Sequence, residues 1–475
     1  MSSVVSEMPA KSSFSAEPPF KIPDTWNWVT LGDIFGFEGG GTPSKNISEY
    51  WNGGVPWASV KDIKGKYLES TVDQISEEGL RSSAATMAMP GDILLVTRIT
   101  PGKCTISRIE TAVNQDLKII RPKIVVNSVY VWMFFSAFQE QLAALGSGTT
   151  VKGLRLEHLN SFPFPLPPID EQKRIVERIE SLLGKINAAQ EVLREISASN
   201  ELLRKSILYS ASVGRLTSEW RSIFGRPEHV NKILKLHSEA TLNRIRNKGR
   251  MKPNPSVSTI DYSNELPDTW GWYKIRELIA LGVVLDIQDG NHGELYPRKT
   301  DFSQEGIPYL SAEHVANDIV QLDDAPKLSF AKARQLRVGF SKSRDVILTH
   351  NATVGRVGVV PNGYDEVLLS TSTTYYRVDE AVLDPFYLAI VLRSPLFQNQ
   401  LINIMSQTTR NQVSIMKQTE LSIPMPPLEE QKEIVRLVEI SLKQLGCVSE
   451  YCVESRAHME GVKASVFFRA FRGML

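Results

Sequence analysis

Two stretches of the chain carry a helical repeat far longer than any other. From Ile175 the apolar or small positions are Ile175, Ile179, Leu182, Ile186, Ala189, Leu193, Ile196, Asn200, Leu203, Ile207 and Ser210, in alternating steps of four and three. This is a heptad repeat, and a strict seven-residue period keeps its seam on one side only if the helix supercoils around a partner. A second run, Ile434, Val438, Leu445, Val448, Cys452, Met459, Val462 and Val466, repeats the spacing and offers that partner within the same chain. Asn200 occupies a seam position, where a polar side chain fixes register at a cost in stability; Ser441, Cys452 and Ser455 weaken the second seam. The runs open on nearly the same words, Pro167-Pro168-Ile169-Asp170-Glu171-Gln172-Lys173 and Pro426-Pro427-Leu428-Glu429-Glu430-Gln431-Lys432. Proline ahead of the helix and acidic residues in its first turn suit a helix N-terminus. The first run predicts a helix of about 40 residues, roughly 60 Å long.

The repetition extends beyond the helices. Pro23-Asp24-Thr25-Trp26 returns as Pro267-Asp268-Thr269-Trp270, Gly54-Val55-Pro56-Trp57 as Gly306-Ile307-Pro308-Tyr309, and Gly102-Lys103 as Gly355-Arg356. The chain is a tandem duplication. Short strand-like runs, such as Asp92 to Thr97 and Leu117 to Ile120, alternate with Gly, Pro and Asn turns, and Val129 to Leu145 reads as a packed helix. The expected fold is mixed α/β (α+β): two pseudo-symmetric globular domains separated by two long helices. The expected boundaries are a disordered tail over 1–19, a first domain over 20–168, a long helix over 169–215, a basic linker over 216–264, a second domain over 265–427 and a second long helix over 428–475. In the linker, Arg221, Lys232, Lys235 and Arg244 belong to the most basic part of the chain, which suits either a solvated surface or a hold on phosphates or a partner. The framework aligns between halves while the intervening segments share little, as in one scaffold presenting two surfaces.

Bulk properties narrow the classes. At 475 residues, 42% of them apolar, the chain is long enough for two or three full cores. Three cysteines cannot form a disulfide framework, and a reducing cytoplasm is the expected home. The longest apolar run, Val129 to Phe138, is about half of the roughly 20 residues a membrane helix needs. A net charge of +1 excludes a protein that coats nucleic acid by charge alone, yet permits one that reads bases.

Catalytic and metal motifs are lacking. Glu17-Pro18-Pro19-Phe20 has no Gly-rich cofactor strand before it, Gly39-Gly40-Gly41-Thr42-Pro43-Ser44-Lys45 lacks phosphate-loop spacing, and Cys447 and Cys452 have no zinc-site companions. The chain alone is expected to be no enzyme and to hold no metal or cofactor. What the framework turns do carry is side chains able to meet base edges or phosphates. In the first half these are Thr42, Ser44, Lys45, Lys61, Arg98, Lys103, Asn114, Gln115, Thr149, Thr150 and Lys152. In the second they are Gln288 to His292, Glu313, His314, His350, Asn351, Arg356, Ser372 and Thr373 on to Thr374, and Thr408, Thr409, Arg410 and Asn411 on to Gln412.

The paired Pro-Pro-x-x-Glu-Gln-Lys openings, the long helices ending in Gly214-Arg215-Leu216 and Gly473-Met474-Leu475, and the domain starts Trp26-x-Trp28 and Trp270-x-Trp272 carry a resemblance. So does Thr217-Ser218-Glu219-Trp220-Arg221. From Pro23 to Leu475 the chain resembles the specificity subunit of type I restriction-modification systems. The resemblance implies two target-recognition domains, each reading half of a bipartite double-stranded DNA target, at the ends of an antiparallel coiled coil that acts as a ruler. It implies two methyltransferase subunits binding S-adenosylmethionine, motor-nuclease restriction subunits using ATP and Mg, and a role in phage defence. The rival expectations are a catalytic nuclease or methyltransferase with degenerate motifs, and a coiled-coil scaffold whose domains bind protein.

Overall fold

The computed structural model describes residues 17–146, 153–225, 227–246, 266–406 and 411–475. The chain divides into two compact units, Met1–Arg194 with Val453–Leu475, and Glu195–Cys452. Eleven strands belong to the first: β1 (Asn27–Thr30), β2 (Phe35–Gly39), β3 (Val55–Ala58), β4 (Tyr67–Leu68), β5 (Asp73–Ile75), β6 (Thr86–Ala88), β7 (Ile93–Val96), β8 (Cys104–Ser107), β9 (Thr111–Val113), β10 (Leu117–Pro122) and β11 (Pro163–Leu166). They form sheets in the orders β2-β10-β7-β8-β4, β5-β3-β9-β6 and β1-β11.

The second unit contains β12 (Gly271–Lys274), β13 (Val284–Asp289), β14 (Phe302–Ser303), β15 (Ile307–Leu310), β16 (Val315–Ala316), β17 (Ile319–Val320), β18 (Lys327–Leu328), β19 (Phe340–Ser341), β20 (Val346–Thr349), β21 (Val357–Val359), β22 (Val367–Leu369), β23 (Thr373–Val378) and β24 (Ser422–Met425). Its sheets run β13-β23-β20-β21, β14-β18-β15-β22-β19, β12-β24 and β16-β17. The duplication therefore reaches strand order, including a parallel β3–β9 pair answered by a parallel β15–β22 pair.

The long helices run over Ile169–Ser212 and Leu428–Ala470. In the first unit Ile175 and Ile179 share a core with Val466, Ala470 and Phe471, so the start of one helix lies against the end of the other. In the second unit Leu208 and Ala211 share a core with Ile434 and Val438. The helices are antiparallel. Their buried line departs from the strict heptad reading. It follows Ile175, Ile179, Leu182, Ile186, Gln190, Leu193, Ser197, Asn200, Arg204, Leu208 and Ala211, ten steps over 36 residues, or 3.6 per step. Ile196 and Leu203, expected on the seam, are 39% and 51% exposed, and Val448 and Val462 are likewise out in solvent. The reason is the period of an unsupercoiled helix, which drifts about 20° per heptad from a 3.5 repeat. Leu445, Met459 and Ile207 are half-buried, and Asn200 Nδ2 donates to Leu445 O at 2.9 Å and Ser449 Oγ at 2.7 Å on the facing helix.

The shared opening motif has a structural job. Gln172 and Gln431 are buried; their Nε2 atoms donate to Pro167 O and Pro426 O, each at 2.9 Å. Their Oε1 atoms accept Asn127 N–H at 2.9 Å and Asp384 N–H at 2.8 Å. Asn127 and Asp384 in turn cap the helices Ser128–Ala137 and Pro385–Arg393. Each glutamine thus ties a long helix to the capped helix of its own globular domain, satisfying buried groups that would cost about 1–3 kcal/mol each if left unpaired. Arg221 is also internal: it bonds to the buried Glu430, to Thr217 Oγ1 at 2.9 Å and to Gly214 O at 2.5 Å. That sets it apart from the basic run of the linker, whether solvated or binding, because its charge is already matched inside the fold.

Candidate nucleic-acid interface

In the first unit, three loops meet at one end of the sheets because main-chain bonds hold them there. Gly41 N–H donates to Val113 O at 2.9 Å, Asn114 N–H to Ala58 O at 3.0 Å, and Thr97 N–H to Asp116 O at 2.8 Å. Leu154 N–H reaches Thr97 O at 2.8 Å, and Arg98 bridges Gly153. Gly40 is required here: a Cβ would run into the carbonyl oxygens of Val113 and Asn114. The loops after β2, after β7 and after β9 therefore form one surface, beside the end of β3.

That surface brings together much of the expected set. Thr42 Oγ1 bonds to Gln115 Oε1, while Ser44, Lys45 and Gln115 are exposed. Arg98 lies 3.8 Å from Asp116. Lys61, in the turn after β3, is ion-paired to Asp73 at 2.6 Å, and Lys103 is half-buried in the β7–β8 connection. Asn114 is different. It is buried and its Oδ1 accepts Asp116 N–H at 3.1 Å, so it shapes the turn and is not free to meet a base. Thr149, Thr150 and Lys152 lie outside the described residues.

The second unit repeats three of these main-chain bonds with other side chains. Ser370 N–H donates to Leu310 O at 2.8 Å, His350 N–H to Ser372 O at 2.9 Å and Val413 N–H to His350 O at 2.9 Å, and Asn351 bridges Gln412. Gly290 approaches the backbone of Leu369 and Ser370 as Gly40 approaches Val113 and Asn114. His292, Glu313, Arg356 and Asn411 are exposed, and Asn351 is half-buried. Glu313 accepts Ser311 Oγ at 3.0 Å, His314 Nδ1 accepts Ser311 N–H at 3.0 Å, and Ser372 Oγ accepts Ala312 N–H at 3.0 Å. Gln288 Oε1 accepts Gly339 N–H at 3.0 Å. Thr408, Thr409 and Arg410 lie outside the described residues.

His350 and Thr373 are buried, against their expected place at the surface. The cause is a polar chain running through the sheet. His350 Nδ1 meets Thr374 Oγ1 at 2.7 Å; Gln418 Nε2 donates to Thr374 Oγ1 at 3.2 Å, and Tyr376 hydroxyl donates to Gln418 Oε1 at 2.6 Å. At the outer end Asp289 Oδ2 lies 3.0 Å from His292 and 3.9 Å from His350 Nε2. Burial lowers the pKa of His350; the Asp289 carboxylate opposes that shift and His292 adds to it. Gln418 and Tyr376 were invisible to sequence reading, since only strand pairing brings β20 and β23 beside the Ile415–Thr419 helix. Among the described residues no group of acidic, His and Cys side chains could hold a metal ion, and no helix is long and apolar enough to cross a membrane.

The family model described as type I restriction modification DNA specificity domain matches residues 23–198 and again 267–445. The type I restriction enzyme EcoBI specificity subunit of Escherichia coli is 24% identical over 345 residues, covering 72% of this chain and 65% of that protein. The EcoR124I/EcoR124II specificity subunit of Escherichia coli is 34% identical over 192 residues, covering 38% of this chain and 46% of that protein. The alignments thus span less than two thirds of each of these two relatives. Two solved structures are alike at 20% identity and cover nearly the whole chain. One, from work on complex assembly and conformational transition of the type I R-M system, has a TM-score of 0.68 over 96% of this chain and 100% of its own. The other, the HsdS subunit from Thermoanaerobacter tengcongensis, has a TM-score of 0.56 over 97% and 100%. At that identity they speak for the fold.

Proposed function

The chain belongs to the type I restriction-modification DNA specificity family, and from that premise we propose that it is the sequence-reading subunit of a type I restriction-modification complex. Each unit reads one half of a split, asymmetric double-stranded DNA target. The observation that carries this reading is the paired interface: three equivalent main-chain bonds assemble both loop clusters, while the side chains they present differ at nearly every position. Two different half-sites need such a construction, because phosphate contacts position a protein and base contacts specify its target. Thr42, Ser44, Lys45, Arg98 and Gln115 form the reading set of the first half, with Lys61 and Lys103 beside them. His292, Glu313, Asn351, Arg356 and Asn411 form that of the second.

The chemistry belongs to partners. Two methyltransferase subunits supply S-adenosylmethionine and flip the target base out of the duplex; restriction subunits supply ATP, Mg and cleavage. The complex works in the cytoplasm, where its DNA lies. The test is an exchange of residues 20–168 for the corresponding domain of another family member. The methylated motif of the resulting complex changes in one half only; a change in both halves contradicts the assignment of one domain to one half-site.

A further inference from the structure

Ile99, at the tip of the β7–β8 connection, has φ +72° and a side chain 66% exposed. Left-handed backbone is disfavoured for every residue with a Cβ, and most of all for a β-branched one. Thr100 N–H donates to Arg98 O at 2.9 Å across Ile99, the i to i+2 bond of a γ-turn whose positive-φ form is rare and strained. The surroundings pin the turn in place: Gly102 N–H donates to Val96 O at 2.9 Å, and Gly102 has no room for a Cβ against Gln139. Burial does not repay the strain, because the aliphatic side chain stands in water. Glycine would fit the backbone better.

The second half makes the same choice. Ala352 occupies the matching position before Gly355, with φ +62°, and is exposed. Both tips adjoin the turns that carry the candidate reading residues, through Thr97 N–H to Asp116 O and His350 N–H to Ser372 O. Strain held at one equivalent point of both halves, on an outward apolar side chain, marks a functional constraint. An aliphatic group held outward on the residue after Arg98 offers what the thymine edge of the major groove presents to an apolar side chain: contact with the C5-methyl group. We propose that Ile99 is a specificity-determining residue whose side chain packs on a thymine methyl group within the first half-site. This rests on the DNA-reading function proposed above.

The test uses the full chain assembled with its methyltransferase subunits, on duplexes carrying the mapped target. Each thymine of the first half-site is replaced in turn by deoxyuridine, which removes only the methyl group. With the unaltered chain, one replacement weakens binding by about ten-fold, the order expected for a single base-edge contact. With Ile99→Gly the same replacement has no effect, and the chain is no less stable to denaturant, since glycine accepts the turn without strain. A split motif containing no methyl-sensitive thymine in that half, or equal sensitivity in Ile99→Gly, overturns the inference while leaving the parent reading in place. A complex that marks no split motif overturns both.

Discussion

His350 shows how a single buried residue can organise the candidate interface from inside the sheet. It is 1% exposed, and its main chain connects three segments: its N–H donates to Ser372 O and its carbonyl accepts from Val413 N–H. Its ring continues the polar chain to Thr374 and Gln418. Because burial holds its folded pKa below the ordinary 6.5, the unfolded chain takes up the proton first as pH falls. The stability that goes with the neutral ring is complete above about pH 6.5 and is lost as pH drops through that value toward the lower folded one. His350→Gln keeps hydrogen-bonding capacity and removes the titration. The denaturant midpoint of the unaltered chain therefore falls more between about pH 7.5 and about pH 5.5 than that of the variant. Equal falls in the two proteins contradict the buried, neutral histidine.

At the scale of elements, an ion pair ties each globular domain to the first long helix. Lys66, just before β4, meets Glu180 at 2.5 Å; Asp318, at the matching place before β17, pairs with Arg204 and lies 3.5 Å from Arg393. The polarity is reversed between halves. Lys66 and Glu180 are partly exposed and contribute little, about 0–1 kcal/mol. Arg393 is more enclosed; burial and the neighbouring Arg204 lower its pKa to about 10, so it stays charged at neutral pH and needs Asp318. Asp318 has φ +65°, a conformation asparagine also tolerates. Asp318→Asn is therefore expected to destabilise by about 2 kcal/mol, and Arg204→Ala by under about 1 kcal/mol, in equilibrium denaturation. The reverse order contradicts a role for Asp318 as counter-charge to Arg393.

These elements also mark how far the sequence could be read. Both long helices and their mutual partnership were legible, because apolar spacing survives as burial at Ile175, Ile179, Leu193, Ile434, Val438 and Val466. Leu203 misled, because a 3.5 and a 3.6 period diverge by a full position only after several heptads. Gln172 and Gln431 were visible as a repeated motif, but their reach to Asn127 and Asp384 depends on tertiary placement. Turn polarity singled out Thr42, Gln115 and Arg98, which the fold brings to one loop cluster. It could not separate them from Asn114, because a polar turn residue facing solvent and one buried to shape the turn have the same composition. Ile99 gave no signal at all: its significance lies in a backbone angle.

Across the whole molecule, near-zero net charge and a duplicated fold say the same thing. A chain with 54 basic and 53 acidic residues cannot rely on counterion release for its selectivity. On the proposed function, selectivity comes from arranged side chains, and the duplication supplies two arrangements on one kind of scaffold. The most direct test is genome-wide methylation mapping of cells that carry this chain with a cognate methyltransferase subunit, against cells with the methyltransferase alone. A split motif, two short defined halves around a spacer of fixed length, appears only when the chain is present. Identical maps from the two strains, with assembly of the complex verified, would contradict the claim that this chain chooses the target.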